Sequence, residues 1–208
     1  MKKLLIVLVV ILITCACSIS PEPSESNQSI ISEPTQETKE TRTPSVELFE
    51  YYENDLGINI GIPQGWVRKS STTQIGSENN VPITSFTYQN GSSMYYLTLM
   101  TISIHKYETP QWIVEDALGI GSDYEVADSK NFRVMSTNSK VKIDGNSSYM
   151  ASYRVTQIST NQDLFSVTLA TDNNKNEWLL IQFSCLEKDQ VELETFITPI
   201  LLSISFLD

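Results

Sequence analysis

From Ser18 to Ser45 the chain reads SISPEPSESNQSIISEPTQETKETRTPS, and this segment limits the possible folds more than any other feature. It is dominated by Ser, Glu, Pro and Thr and has no aromatic side chain. Such a composition cannot bury enough apolar surface to offset the entropy of ordering it. The expectation is a disordered tether with an r.m.s. reach of about 30 Å if the chain is fully flexible. Whatever folds must come from residues 46–208, a length suited to one domain with an ordinary core.

Ahead of the tether, Met1-Lys2-Lys3 is basic, Leu4 to Ile13 is uninterruptedly apolar, and Thr14-Cys15-Ala16-Cys17 follows. That is the layout of a signal peptide, and the apolar run falls short of the roughly 20 residues a bilayer span needs. The boundary resembles the bacterial lipobox, in which an aliphatic residue and two small residues precede a lipidated cysteine. With Cys17 as the modified residue, Ala16 fits but Thr14 stands where Leu is usual; with Cys15, Leu12 fits but Thr14 is a poor residue to cleave after. Cys17 is preferred, with Cys15 as the alternative. Acyl chains there would each add about 0.8 kcal/mol per buried methylene, enough for stable anchoring with two chains. The expected location is the extracytoplasmic face of a cell membrane, held by lipid.

The formal net charge is −11, and acidic residues outnumber basic ones about twofold within residues 46–208. The basic residues are scattered there, which argues against nucleic acid and against direct adsorption to anionic headgroups. With three cysteines in all, Cys185 is the only one in the domain. No disulfide framework and no cysteine metal site can be assembled. Cys185 closes the apolar run from Trp178 and reads as a buried, inert thiol.

Strands are expected at 47–52 and 58–62 as a hairpin, then at 66–69, 83–88, 95–105, 131–136, 139–143, 149–158, 164–171 and 177–185. Turns such as Asn90-Gly91 and Asp144-Gly145-Asn146 separate them. Phe165-Ser166-Val167-Thr168-Leu169 alternates cleanly, so that strand should have one buried and one polar face. The run 178–183 reads as a central strand, apolar on both faces. Thr109-Pro110 opens a helix carrying Ile113, Val114, Ala117 and Leu118 on one face. A second helix is expected from about 187 to 201, with Pro199 bending or tightening its last turn. Ser203-Ile204-Ser205-Phe206 closes the chain as a short strand. The fold class is α+β, an antiparallel sheet sandwiched with helices.

Four segments together carry a resemblance. They are Ile60-Gly61-Ile62-Pro63-Gln64-Gly65-Trp66, Val141 to Gly145, Tyr149-Met150-Ala151-Ser152-Tyr153, and Phe196-Ile197 through Phe206. In this order they resemble the PsbP-like superfamily, which includes extrinsic photosystem II subunits and small bacterial lipoproteins of the DcrB type. The resemblance covers nearly all of residues 46–208. It implies an α/β/α sandwich and an accessory or assembly role without a shared catalytic constellation, so no site residues carry over.

The chemistry-bearing residues agree. A nucleophilic triad needs a base beside its nucleophile, and the single histidine, His105, ends an apolar strand where a structural role fits. There is no G-x-S-x-G elbow, no phosphate-cradling glycine loop and no dinucleotide fingerprint. Glu115, Asp116, Asp123, Glu125 and Asp128 are the candidate metal ligands, though their spacing matches no calcium loop and a solvated acidic edge explains them. Catalytic residues and cofactors are expected to be none. Trp66, Tyr88, Tyr95, Tyr96, Trp112, Tyr149, Tyr153 and Trp178 could line a groove, but most fall in core patterns. Tyr95 and Tyr96, adjacent on a strand, must point to opposite faces.

The favoured expectation is a non-enzymatic surface lipoprotein that presents an accessory or binding domain to another envelope protein, through an exposed apolar or aromatic patch. The alternatives are a small-ligand or calcium-binding lipoprotein, and a cell-wall hydrolase with carboxylates converging in a cleft.

Overall fold

A computed structural model describes residues 46–75, 78–103, 108–118 and 129–207. The signal segment, Cys15, Cys17, the tether, His105, Asp123, Glu125 and Asp128 lie outside the described residues.

The opening hairpin forms as its apolar alternation requires. β1 (Leu48–Glu53) pairs antiparallel with β2 (Ile58–Pro63), and Gly57 adopts the left-handed conformation that ends the short 3-10 turn Asn54–Leu56. β3 (Val67–Ile75), β4 (Glu78–Asn90) and β5 (Ser93–Ser103) then run as a meander. α1 (Pro110–Ala117) starts where Thr109 Oγ1 accepts the Trp112 amide at 3.1 Å, with Pro at the first helical position. β6 (Ser129–Asn138), β7 (Lys142–Ile143), β8 (Asn146–Gln157), β9 (Gln162–Asp172) and β10 (Glu177–Leu186) follow. Asp144 and Gly145, at φ +46° and +83°, make the two-residue turn between β7 and β8, where both positions need positive φ. A 3-10 turn at Glu187–Asp189 leads into α2 (Gln190–Ser203), and β11 (Ser205–Phe206) ends the described chain.

Among the described residues two sheets form where one was expected. The large one runs β3-β4-β5-β10-β9-β8-β6, with β7 on β8; the small one runs β1-β2-β11. The closing strand thus returns to the opening hairpin. Gly61 permits this approach, since a Cβ there would lie 3.0 Å from Leu48 Cβ and from Ser203 Cβ and Oγ. The Gly61 amide donates to Ser203 Oγ at 2.8 Å, in line with the β2–β11 ladder.

β10 holds the large sheet together, as its apolar run suggests. Leu179, Ile181, Phe183 and Cys185 face α2, β2 and the small sheet in one core; Trp178 and Leu180 join α1 in a second core on the other face. α1 packs on β8 and β9, and α2 on β2 and β10. The α2 side is shared with the small sheet, so that layer is mixed rather than purely helical. β3 is longer than the expected 66–69. α2 continues past Pro199 to Ser203, and its end tightens where the Ile204 amide reaches the Leu201 carbonyl at 3.4 Å.

Candidate functional site

α1 covers only part of its face of the large sheet. Cross-strand partners share a face, so the register sets out what lies beyond the helix. One row is Thr87↔Tyr96↔Ser184↔Ser166, and the next is Ser85↔Thr98↔Gln182↔Thr168. On β4, β5 and β10 these side chains are half-buried, whereas the same rows on β9 are closed off. The closure comes from Tyr153 on β8. Its ring packs on Phe132 at 5.2 Å, and its hydroxyl accepts from Gln182 Nε2 at 2.8 Å and lies 3.4 Å from Thr168 Oγ1. Burial pushes the Tyr153 phenol above the ordinary tyrosine range, so it stays a neutral hydroxyl. Among the described residues the result is an uncharged floor of hydroxyl and amide groups, half-buried on β4, β5 and β10 and walled by Tyr153. It can hydrogen-bond a polar surface, and among the described residues it holds no nucleophile with a base.

At the end of the sheet nearest α2, Arg154, Gln162, Asp163, Leu186, Glu187 and Lys188 line an open groove of about 510 Å³. Two of its four charged groups, Arg154 and Glu187, pair with each other. Arg154 Nη1 pairs with Glu187 Oε1 at 2.7 Å, Arg154 Nη2 donates to Gln190 Oε1 at 3.0 Å, and Asp163 Oδ1 accepts from Thr156 Oγ1 at 2.6 Å. This is a solvated ion-pair cluster at a strand end.

No protein-family model and no curated relative matches the sequence. Solved structures do match. Cyanobacterial PsbP (CyanoP) from Synechocystis sp. PCC 6803 superposes with a TM-score of 0.51 at 15% identity, over 77% of this chain and 93% of its own. The Ran-binding protein Mog1p of Saccharomyces cerevisiae reaches 0.53 at 8% identity, over 79% and 97%. The fold is Mog1/PsbP-like. LpqN of Mycobacterium tuberculosis, described as involved in cell envelope biogenesis, aligns at 0.48 with 10% identity over 80% and 94%.

Within this Mog1/PsbP-like domain the expected site residues do not converge. Glu115 and Asp116 are neighbours on α1, about 100° apart around its axis. Glu115 Oε1 accepts from Gln111 Nε2 at 2.8 Å. Asp116 Oδ2 is buried without a partner, and burial together with nearby Glu108 raises its pKa above the ordinary aspartate value. Among the described residues no three His, Cys, Asp or Glu side chains stand close enough to hold a metal ion. Cys185 is 1% exposed; burial, reinforced by Asp189 and Glu194, pushes its thiol up to about 12.

The aromatics divide as their pattern implies. Trp66, Tyr95, Tyr149, Tyr153 and Trp178 are buried, while Trp112 is exposed. Tyr95 lies in the α2-side core with its hydroxyl donating to Glu192 Oε2 at 2.6 Å, and Tyr96 faces the floor. Trp66, Tyr88 and Tyr95 stack in sequence and Phe196 meets all three edge-on, with centroids 5.7–6.0 Å apart. Exposed large apolar side chains come from several elements, among them Phe49 and Tyr52 on β1, Met135 on β6, and Val191 and Leu202 on α2. The floor is polar, unlike the expected apolar patch. Its signal was present as polar pairs two residues apart in four strands, Ser85/Thr87, Tyr96/Thr98, Ser166/Thr168 and Gln182/Ser184. Only the pair on β9 stands out from one strand read alone.

Proposed function

We propose that the protein is a non-enzymatic lipoprotein, held by a lipid on Cys17 at the extracytoplasmic face of a bacterial membrane, whose domain binds another envelope protein. The observation that carries this reading is the uncharged, half-open floor on β4, β5 and β10. It offers donors and acceptors over several strands, as a protein surface needs, rather than convergent groups around one small molecule. Mog1p, a Ran-binding protein, supports the idea that a domain of this architecture can serve as a binding module. The signal and tether would place such a module outside the membrane with freedom to meet its partner.

The test is a photo-crosslinking amino acid at position 96 of the full chain in intact cells. A discrete protein adduct is expected, lost in the Ser184→Arg variant while the thermal midpoint stays within a few degrees. An adduct indifferent to Ser184→Arg, or none at all, would remove the floor from consideration.

A further inference from the structure

The large sheet has two edges, and they are built differently. β6, at one edge, breaks register against β8 twice, between Lys130 and Arg133 and between Val134 and Ser136, and Asn131 sits at φ +56°. Bulges of this kind twist an edge away from any further strand. β3, at the other edge, pairs with β4 residue for residue from Val67↔Thr87 to Thr73↔Val81, and its single irregularity comes after Thr73. Residues 67–72 are exposed, and among the described residues no strand lies on the outer side of β3. Residues 67–72 therefore present, at every second position, outward backbone donors and acceptors that no described strand takes up.

Charge selects the kind of strand that fits. The protein carries a net −11, yet Val67–Ile75 contains Arg68 and Lys69 and no carboxylate. Arg68 is committed to Glu53 through Nε–Oε1 at 2.5 Å and Nη2–Oε2 at 2.6 Å. Lys69 is exposed on the floor side, opposite Ser85. A second copy of β3 would bring no carboxylate to Lys69, since Val67–Ile75 holds none. A strand with Asp or Glu beside Lys69 gains a cross-strand pair instead. Val67, Lys69 and Ser71 also continue the rows of Thr87, Ser85 and Ile83, so a strand added here extends the same floor.

We infer that β3 receives an extended acidic segment of the partner protein by strand addition, an inference that rests on the partner-binding reading above. Backbone hydrogen bonds along the edge supply affinity, and the contact at Lys69 supplies selectivity.

The experiment places photo-crosslinking residues singly at 69 and 71 on β3, and at 133 and 135 on β6, in the full chain in intact cells. The expected result is adducts from 69 and 71 to positions about two residues apart in one segment that contains Asp or Glu, with none from β6. Lys69→Glu should cut the yield from position 71 at least tenfold at an unchanged thermal midpoint. Adducts to a second copy, to a segment without Asp or Glu, or from β6 alone would overturn the inference, as would indifference to Lys69→Glu. If position 96 still crosslinks while 69 and 71 do not, strand addition fails and the partner-binding reading stands; if none of the three crosslinks, both fail.

Discussion

Glu53 is 3% exposed at the end of β1, where a carboxylate needs compensation. Arg68 grips both its oxygens and Thr84 Oγ1 donates to Oε2 at 3.0 Å. Arg68→Ala leaves this charge with the threonine alone and should cost about 2–3 kcal/mol in a denaturant titration. Asp116 is the opposite case, a half-buried carboxylate whose charged form is disfavoured in the fold. Its folded pKa lies above the unfolded one, so the penalty sets in as pH rises through the unfolded value and is full above the folded value. Asp116→Asn should therefore stabilise at neutral pH, by under about 1 kcal/mol because the side chain is partly solvated, and the gain should vanish below the ordinary aspartate pKa. Thermal midpoints at pH 3 and pH 7 check the sign. Cys185, with its thiol pushed up to about 12, should resist iodoacetamide at pH 8 in the native protein and label on unfolding, as read by peptide mass.

Elements with a strong local pattern were the most legible. The Thr109-Pro110 start of α1 and the turn at Asp144-Gly145 are local chemistry, and both stand where the residues put them. The opening hairpin and a closing strand were legible, but their union in a second sheet was not, because it depends on β11 meeting β2 across a long stretch of chain. The length of β3 was hidden for a related reason. Ser70, Ser71 and Thr72 lie on an exposed edge, where no buried face imposes alternation. Gly61 and Ser203 hold the second sheet to α2, and each can be tested. Ser203→Ala leaves the Gly61 amide without its partner and should cost about 1–2 kcal/mol. Gly61→Ala pushes a methyl against Leu48 and Ser203 and should cost about 1–3 kcal/mol. Because both act on one contact, the double variant should cost less than the sum of the two.

For the molecule as a whole, the tether reading makes its own prediction: a lipid precursor should label the full chain, and Cys17→Ala, not Cys15→Ala, should abolish the label. Calcium at millimolar concentration should leave the thermal midpoint unmoved; an upward shift would favour the ligand-binding alternative. The candidate site was less legible than the fold, since a floor made of two residues from each of several strands exists only once the strands are in register. Finally, the hydrogen bond between Gly61 and Ser203 spans 142 residues. A chain crossing a membrane amino-end first would deliver β2 long before α2 and β11, and β5 long before its neighbour β10. If the chain crosses a membrane as proposed, neither sheet can be completed until the last stretch has crossed, so long-range pairing, not the local hairpins, sets when folding finishes.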